Sequence, residues 1–130
     1  MDDMLEKLVL ARQNKDASAL ERLLAFDNEN MFSRSHTNIL CQLFLEDWHE
    51  NHEDILMTLG TLKDPASIQS IVQCMKSKLN YYTGNDIPRN AIWALRTINT
   101  TDSIKEIEFL TTSPDDFIRE HALMNLSQSP

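Results

Sequence analysis

Residues 61–71 read Thr-Leu-Lys-Asp-Pro-Ala-Ser-Ile-Gln-Ser-Ile, and residues 97–107 read Thr-Ile-Asn-Thr-Thr-Asp-Ser-Ile-Lys-Glu-Ile. The offset is 36 throughout, and Thr, an aliphatic, Ser, Ile and Ile recur in register. Working outward, Ile55-Leu56-Met57-Thr58-Leu59 falls on Ala91-Ile92-Trp93-Ala94-Leu95 at the same offset. A further copy begins at Ala122-Leu123-Met124-Asn125-Leu126, and Lys15-Asp16-Ala17-Ser18-Ala19-Leu20 echoes Lys63 to Ile68. Self-similarity at a period of roughly 20–50 residues is the mark of a repeat array, whose units cannot bury their apolar faces alone.

Inside each unit the apolar residues follow a helical period. Ile55, Leu56, Leu59 and Leu62 form one stripe, Ile68, Ile71, Val72 and Met75 a second, and Ile104, Ile107 and Leu110 a third. Asp64 followed by Pro65 is an N-cap with proline at the first helical position. Ser113-Pro114-Asp115-Asp116 repeats the device, with two acids at the positive end of the helix dipole. The chain has 130 residues but only two glycines and four prolines. So few helix breakers predict an all-α chain of about eight helices, near 2–14, 16–26, 33–46, 48–62, 65–79, 87–99, 102–111 and 115–127. Stacked antiparallel helix pairs, an α-solenoid in a single domain over 1–130, are the expected architecture.

At these residues the chain resembles the HEAT-repeat family in its short bacterial form. The resemblance rests on Asp-Pro-x-x-Ile at 64–68 and Arg-x-Ala-x-x-x-Leu at 89–95. Residues 118–126 match less closely, because Ala122 stands three places after Arg119 instead of two. The likeness covers about 47–127, and residues 1–46 diverge from it. It implies a binding scaffold, since repeat families share a fold and not an activity.

With 20 acids against 12 bases, the formal net charge is −8. The chain has no basic stripe, so neither nucleic acid nor an anionic membrane is an expected partner. A basic protein is, because opposite potentials steer encounter. Cys41 and Cys74 sit inside apolar helical patterns and read as buried free thiols in a reducing compartment. The acidic Met1-Asp2-Asp3-Met4 start, without a basic n-region or a long apolar run, argues against a secretory signal and for the cytoplasm.

Residues 46–54, Glu-Asp-Trp-His-Glu-Asn-His-Glu-Asp, concentrate the candidate chemistry. A metal reading takes His49 and His52, three apart on one helix face, with Glu53 as a third ligand. The run His49-Glu50-Asn51-His52 is one residue short of His-Glu-x-x-His, so it is not the metalloprotease motif. HEAT-repeat di-iron hydroxylases carry His-Glu pairs at such helix starts. They need several facing pairs, and here only His49-Glu50, His52-Glu53 and a reversed Glu120-His121 occur. A structural reading makes Asp47 the cap of helix 48–62 and Glu50 its capping-box partner, with Trp48, His52, Ile55 or Leu56, and Leu59 on one packed stripe. A third reading is a partner surface. From Ser35 to Leu62 there is no Lys or Arg, and five acids without counter-charge exceed what capping requires.

The second candidate is the 79–88 connection, with Tyr81, Tyr82 and Asp86. Loops present binding residues on a scaffold and tyrosine is enriched at interfaces, although the tyrosines could equally staple the loop to the helices. The HEAT resemblance implies that Arg89 and Arg119, near the starts of their helices, bridge neighbouring units, and Trp93 is expected to lie in the core. No glycine-rich phosphate loop exists, no cysteine has a histidine nearby in sequence, and no cofactor or metal is called for. The expected partner-binding set is Glu46, Asp47, Trp48, His49, Glu50, His52, Glu53, Tyr81, Tyr82 and Asp86. By resemblance in fold, size and the Trp48-His49-x-x-His52-Glu53-Asp54-Ile55 signature, the implied function is that of a bacterial immunity protein. Such a protein, a monomer outside its complex, occludes a basic toxin domain such as a nuclease. A non-toxin adaptor and, from another class, a metal-dependent HEAT-repeat enzyme are the alternatives.

Overall fold

A computed structural model of the chain describes residues 3–25, 31–76 and 84–127. Among these residues the structure is all-α, with no strands. Its eight helices are α1 (Asp3–Asn14), α2 (Ala17–Leu23), α3 (Thr37–Phe44), α4 (His52–Leu62), α5 (Ile68–Lys76), α6 (Asp86–Ile98), α7 (Thr101–Leu110) and α8 (Asp116–Ser127). None is long and apolar enough to cross a membrane.

The helices form two ranks. Helices α4, α6 and α8 pack in succession, and α1, α3, α5 and α7 do the same on the other side. Contacts of α3 with α4, α5 with α6, and α7 with both α6 and α8 join the ranks. This is the stacking expected of an α-solenoid, in which an amphipathic helix is buried only by its neighbours. Helix α3, in the part of the chain that diverges from the repeat pattern, is surrounded by α1, α4 and α5. One apolar core runs through both ranks, with Leu8, Leu20, Leu40, Phe44, Ile55, Leu59, Ile71, Ile92, Leu95 and Ile107 inaccessible or nearly so. Each such side chain contributes about 1.5–3 kcal/mol relative to leaving it in water.

The internal repeat has a local cause. Lys15, Lys63 and Asn99 are the only non-glycine residues with positive φ among those described, at 48°, 55° and 54°. Each ends a helix in the left-handed conformation, and each is followed by a residue whose side chain caps the next helix. Asp16 accepts from the Ala19 amide at 3.1 Å, Asp64 from Ala66 at 3.0 Å and Thr100 from Ser103 at 3.1 Å. The serines that recur in register are explained as well. Ser67 and Ser103 are fully buried, and each hydroxyl donates back to the carbonyl of its N-cap residue, Asp64 at 2.8 Å and Thr100 at 3.1 Å. Before α8 the device shifts by a residue or two. Asp115 caps the Ile118 amide at 3.1 Å, while Ser113 Oγ accepts from the Asp115 amide.

Helix α4 starts at His52, four residues later than the sequence pattern places it. Its N-cap is Asn51, and no side chain caps it. The capping role expected of Asp47 and Glu50 is therefore not realised. Residues 45–51 are an irregular link, and the side chains that organise it point back to α3 instead of forward into α4.

Cys41 and Cys74 are buried free thiols, on the packed helices α3 and α5. Burial pushes the Cys74 thiol up to about 11, and burial foremost also raises Cys41. Neither is a thiolate near neutral pH, so neither is poised as a nucleophile.

Candidate functional site

The link between α3 and α4 and the first turn of α4 hold most of the expected partner-binding residues. Three groups of side chains build it. The first is Glu46, whose carboxylate receives Arg12 Nε at 2.9 and 3.1 Å and Arg12 Nη2 at 2.7 Å. Trp48 Nε1 donates to the same carboxylate at 3.0 Å. Burial alone would raise the Glu46 carboxyl, but these bonds and the guanidinium charge hold it below the usual range. A two-pronged guanidinium–carboxylate contact fixes geometry as well as charge, so α1 is tied to the link across a separation of 34 residues.

The second group is the histidine pair. His49 and His52 are buried, at 2% and 0% exposure. Helix α3 ends at Phe44, where the Leu43 carbonyl accepts the Glu46 amide at 3.2 Å in a tightened last turn and keeps a second lone pair. The Nε2 atom of His49 lies 2.7 Å from the Leu43 carbonyl, while Nδ1 accepts the Asn51 amide at 3.1 Å. His52 Nε2 reaches the Glu46 carbonyl at 2.6 Å. The rings stack with centroids 4.4 Å apart and planes 22° apart, and Trp48 meets His49 edge-on at 4.9 Å. Phe44 of α3 lies tilted beside His52 at 6.3 Å. Burial foremost lowers both imidazoles below the ordinary histidine value.

Both rings, members of the expected partner-binding set, thus shape the link from inside and are closed off from solvent. The metal reading needs their nitrogens to converge with a carboxylate, and the Nε2 atoms are instead spent on two different carbonyls. Among the described residues no group of three or more His, Cys, Asp and Glu side chains is placed to hold a metal ion.

The third group is the outward carboxylates. Asp47, Glu50, Glu53 and Asp54 are exposed. Glu53 accepts from Asn90 of α6 at 3.2 Å, a neutral donor. Within this stretch Glu46 alone has a cationic partner among the described residues. Partial burial and, second to it, the charge of Glu21 raise the Asp54 carboxyl. Glu21 lies on α2, so the negative face extends from α4 onto a helix that the sequence did not implicate. Asp86 is exposed one turn before Asn90 on the same helix, and pairs with Arg89 Nη1 at 2.8 Å. It therefore stands at the same edge of the stack, partly neutralised. Tyr81 and Tyr82 lie outside the described residues.

Arg12 and Glu21 were missed because nothing local marks them. Arg12 looks like an ordinary basic residue in the last turn of α1, and its partner is 34 positions away. Of the two arginines expected to bridge units, Arg89 does so, with its guanidinium 5.5 Å from the Phe117 ring centroid on α8. Arg119 stays local, on the Ser113 carbonyl and Asp116. Trp93 is partly buried, packed on α4 at Gly60.

No protein-family profile, curated protein or solved structure matches the chain.

Proposed function

We propose that this protein is a binding module that captures a basic protein partner on the face formed by Asp47, Glu50, Glu53, Asp54 and Glu21, without chemistry of its own. The observation that carries the reading is the lack of compensation. Among the described residues, four exposed carboxylates in eight positions have no cationic partner, while the fifth, Glu46, is engaged by Arg12. Like charges at this density repel, so capping and solubility alone do not account for them. Held on a short, internally bonded link and a helix start, they form a preorganised field of one sign. Such a field speeds encounter with an opposite one and rejects acidic competitors. A specific interface needs about 1,600 Å² in total, which one flank of a two-rank stack provides.

In the more specific form of the proposal, the protein is an immunity protein that holds a basic toxin domain, such as a nuclease, off its substrate. This form rests on the HEAT-like resemblance in sequence. The same surface serves a non-toxin adaptor, and the test separates the two. Affinity capture from the native host with the intact chain and with a Glu50→Lys/Glu53→Lys variant should retain a basic protein on the first and lose it on the second. With the purified pair, the variant's association rate should fall about tenfold at low salt and by less at high salt. Identical captured sets would remove this surface from consideration. If the captured protein halts growth when expressed alone, and co-expression restores growth, the immunity form stands; a harmless partner makes the protein an adaptor.

A further inference from the structure

Where a polar link must be closed over the end of a helix, apolar side chains or a glycine cap usually do it. Here two imidazoles do. Because His49 Nδ1 accepts the Asn51 amide, its proton is on Nε2, donated to the Leu43 carbonyl. His49 is thus held as the neutral ring with both nitrogens in use. An added proton can only go to Nδ1. There it turns an acceptor into a donor aimed at another donor, and places a positive charge in a buried stack 4.4 Å from the second ring.

We propose that His49 and His52 form an acid-operated latch: as neutral rings they pin residues 46–51 to the end of α3, and on protonation they release the link while the helical ranks stay packed. The latch is independent of the partner-binding reading and stands or falls without it.

The charges around the pair set its direction. Glu46 and Asp47 on the link favour the protonated rings, and the charge of His49 disfavours a proton on His52. Arg12 of α1 sits on Glu46 and weakens its pull. Helix α3 contributes no charged residue to the pair, Glu53 and Asp54 of α4 face outward, and α6 reaches Glu53 only through the neutral Asn90. Burial outweighs the carbonyl hydrogen bonds and the neighbouring carboxylates, so both folded-state values lie below the ordinary 6.5. The unfolded link therefore binds protons more readily than the closed one. The latch's contribution is complete above 6.5 and is lost as pH falls through the lowered folded value.

Amide hydrogen exchange, corrected for the intrinsic pH dependence, tests this on the whole chain. Between about pH 7 and about pH 5, protection at 46–51, and at Asn51 above all, should fall about tenfold or more, while Ile92–Leu95 in α6 keep theirs. Imidazole nitrogen shifts should show the Nε2–H tautomer of His49 at pH 7 and a midpoint matching loss of protection. A His121→Gln variant should leave the transition in place, and a His49→Gln/His52→Gln variant, which keeps donors but does not titrate, should abolish it. Link protection that persists after both rings have titrated overturns the proposal. So does a single midpoint at which link and α6 open together.

Discussion

Gly60 is the residue on which the approach of α4 to α6 turns. A Cβ there would collide with Trp93 Cζ3, and would sit 3.0 Å from Trp93 Cη2 and 3.1 Å from the Ala94 Cβ. Alanine in a helix is favoured over glycine by roughly 1 kcal/mol, whereas forcing a methyl group into a packed contact costs roughly 1–3 kcal/mol. The clash involves a ring and a second Cβ at once, so overpacking wins. Gly60→Ala should destabilise the chain by about 1 kcal/mol in urea unfolding. The same change in a Trp93→Leu background should be neutral or stabilising, because the ring it meets is gone. A double-mutant cycle with no coupling would refute this account.

At the scale of elements, the internal repeat, at 36 residues between Lys63 and Asn99 and 48 between Lys15 and Lys63, is a repeat of turns more than of helices. Left-handed residues at 15, 63 and 99 each precede a capping side chain, which sets where one helix stops and the next begins. Lys63 holds that conformation with a side chain that makes no hydrogen bond or ion pair among the described residues, unlike Asn99, whose Oδ1 accepts from Arg96 Nη1 at 3.0 Å. Lys63→Gly should therefore raise stability by about 0.5–1 kcal/mol, read as a higher urea midpoint at unchanged slope. A loss would show that the Lys63 side chain makes a contribution of its own. This is also where the sequence was most informative. Asp64, Pro65 and Ser67 announced the turn, and the helix boundaries that follow from it agree with the structure to within a few residues. The 45–51 link was illegible for a physical reason. Asp47 and Glu50 have the spacing of a capping box, but His49 and His52 find carbonyls of α3 and its end, and those bonds keep residues 47–51 out of the helix. A cap pattern is read within four residues, while the competing bonds span six.

For the whole molecule, what the sequence conveyed was the existence and order of the helices, and the rank structure followed from stacking equivalent stripes. What it could not convey was cross-chain pairing. Arg12 on Glu46, Arg34 on the Leu62 and Lys63 carbonyls, and Arg96 on the Asn125 carbonyl join positions about 28–34 apart with no local signature. The acidic face was legible as composition, and its continuation to Glu21 became visible only when α2 and α4 were placed. Partner capture and the acid latch meet at this scale. If both hold, the affinity of the face for a basic protein should drop as pH falls from 6.5 through the lowered folded value of the rings, and a His49→Gln/His52→Gln variant should keep its grip there, as measured by calorimetry with the captured protein. An affinity that varies identically for both proteins would uncouple the link from binding.

The hydroxyls of Ser67 and Ser103 are sealed against their own N-cap carbonyls, with no exposed atom. A kinase cannot reach either one in the assembled stack. A phosphate on either residue would mark a chain modified before its hairpin closed, and the added charge would then bar that chain from completing the turn.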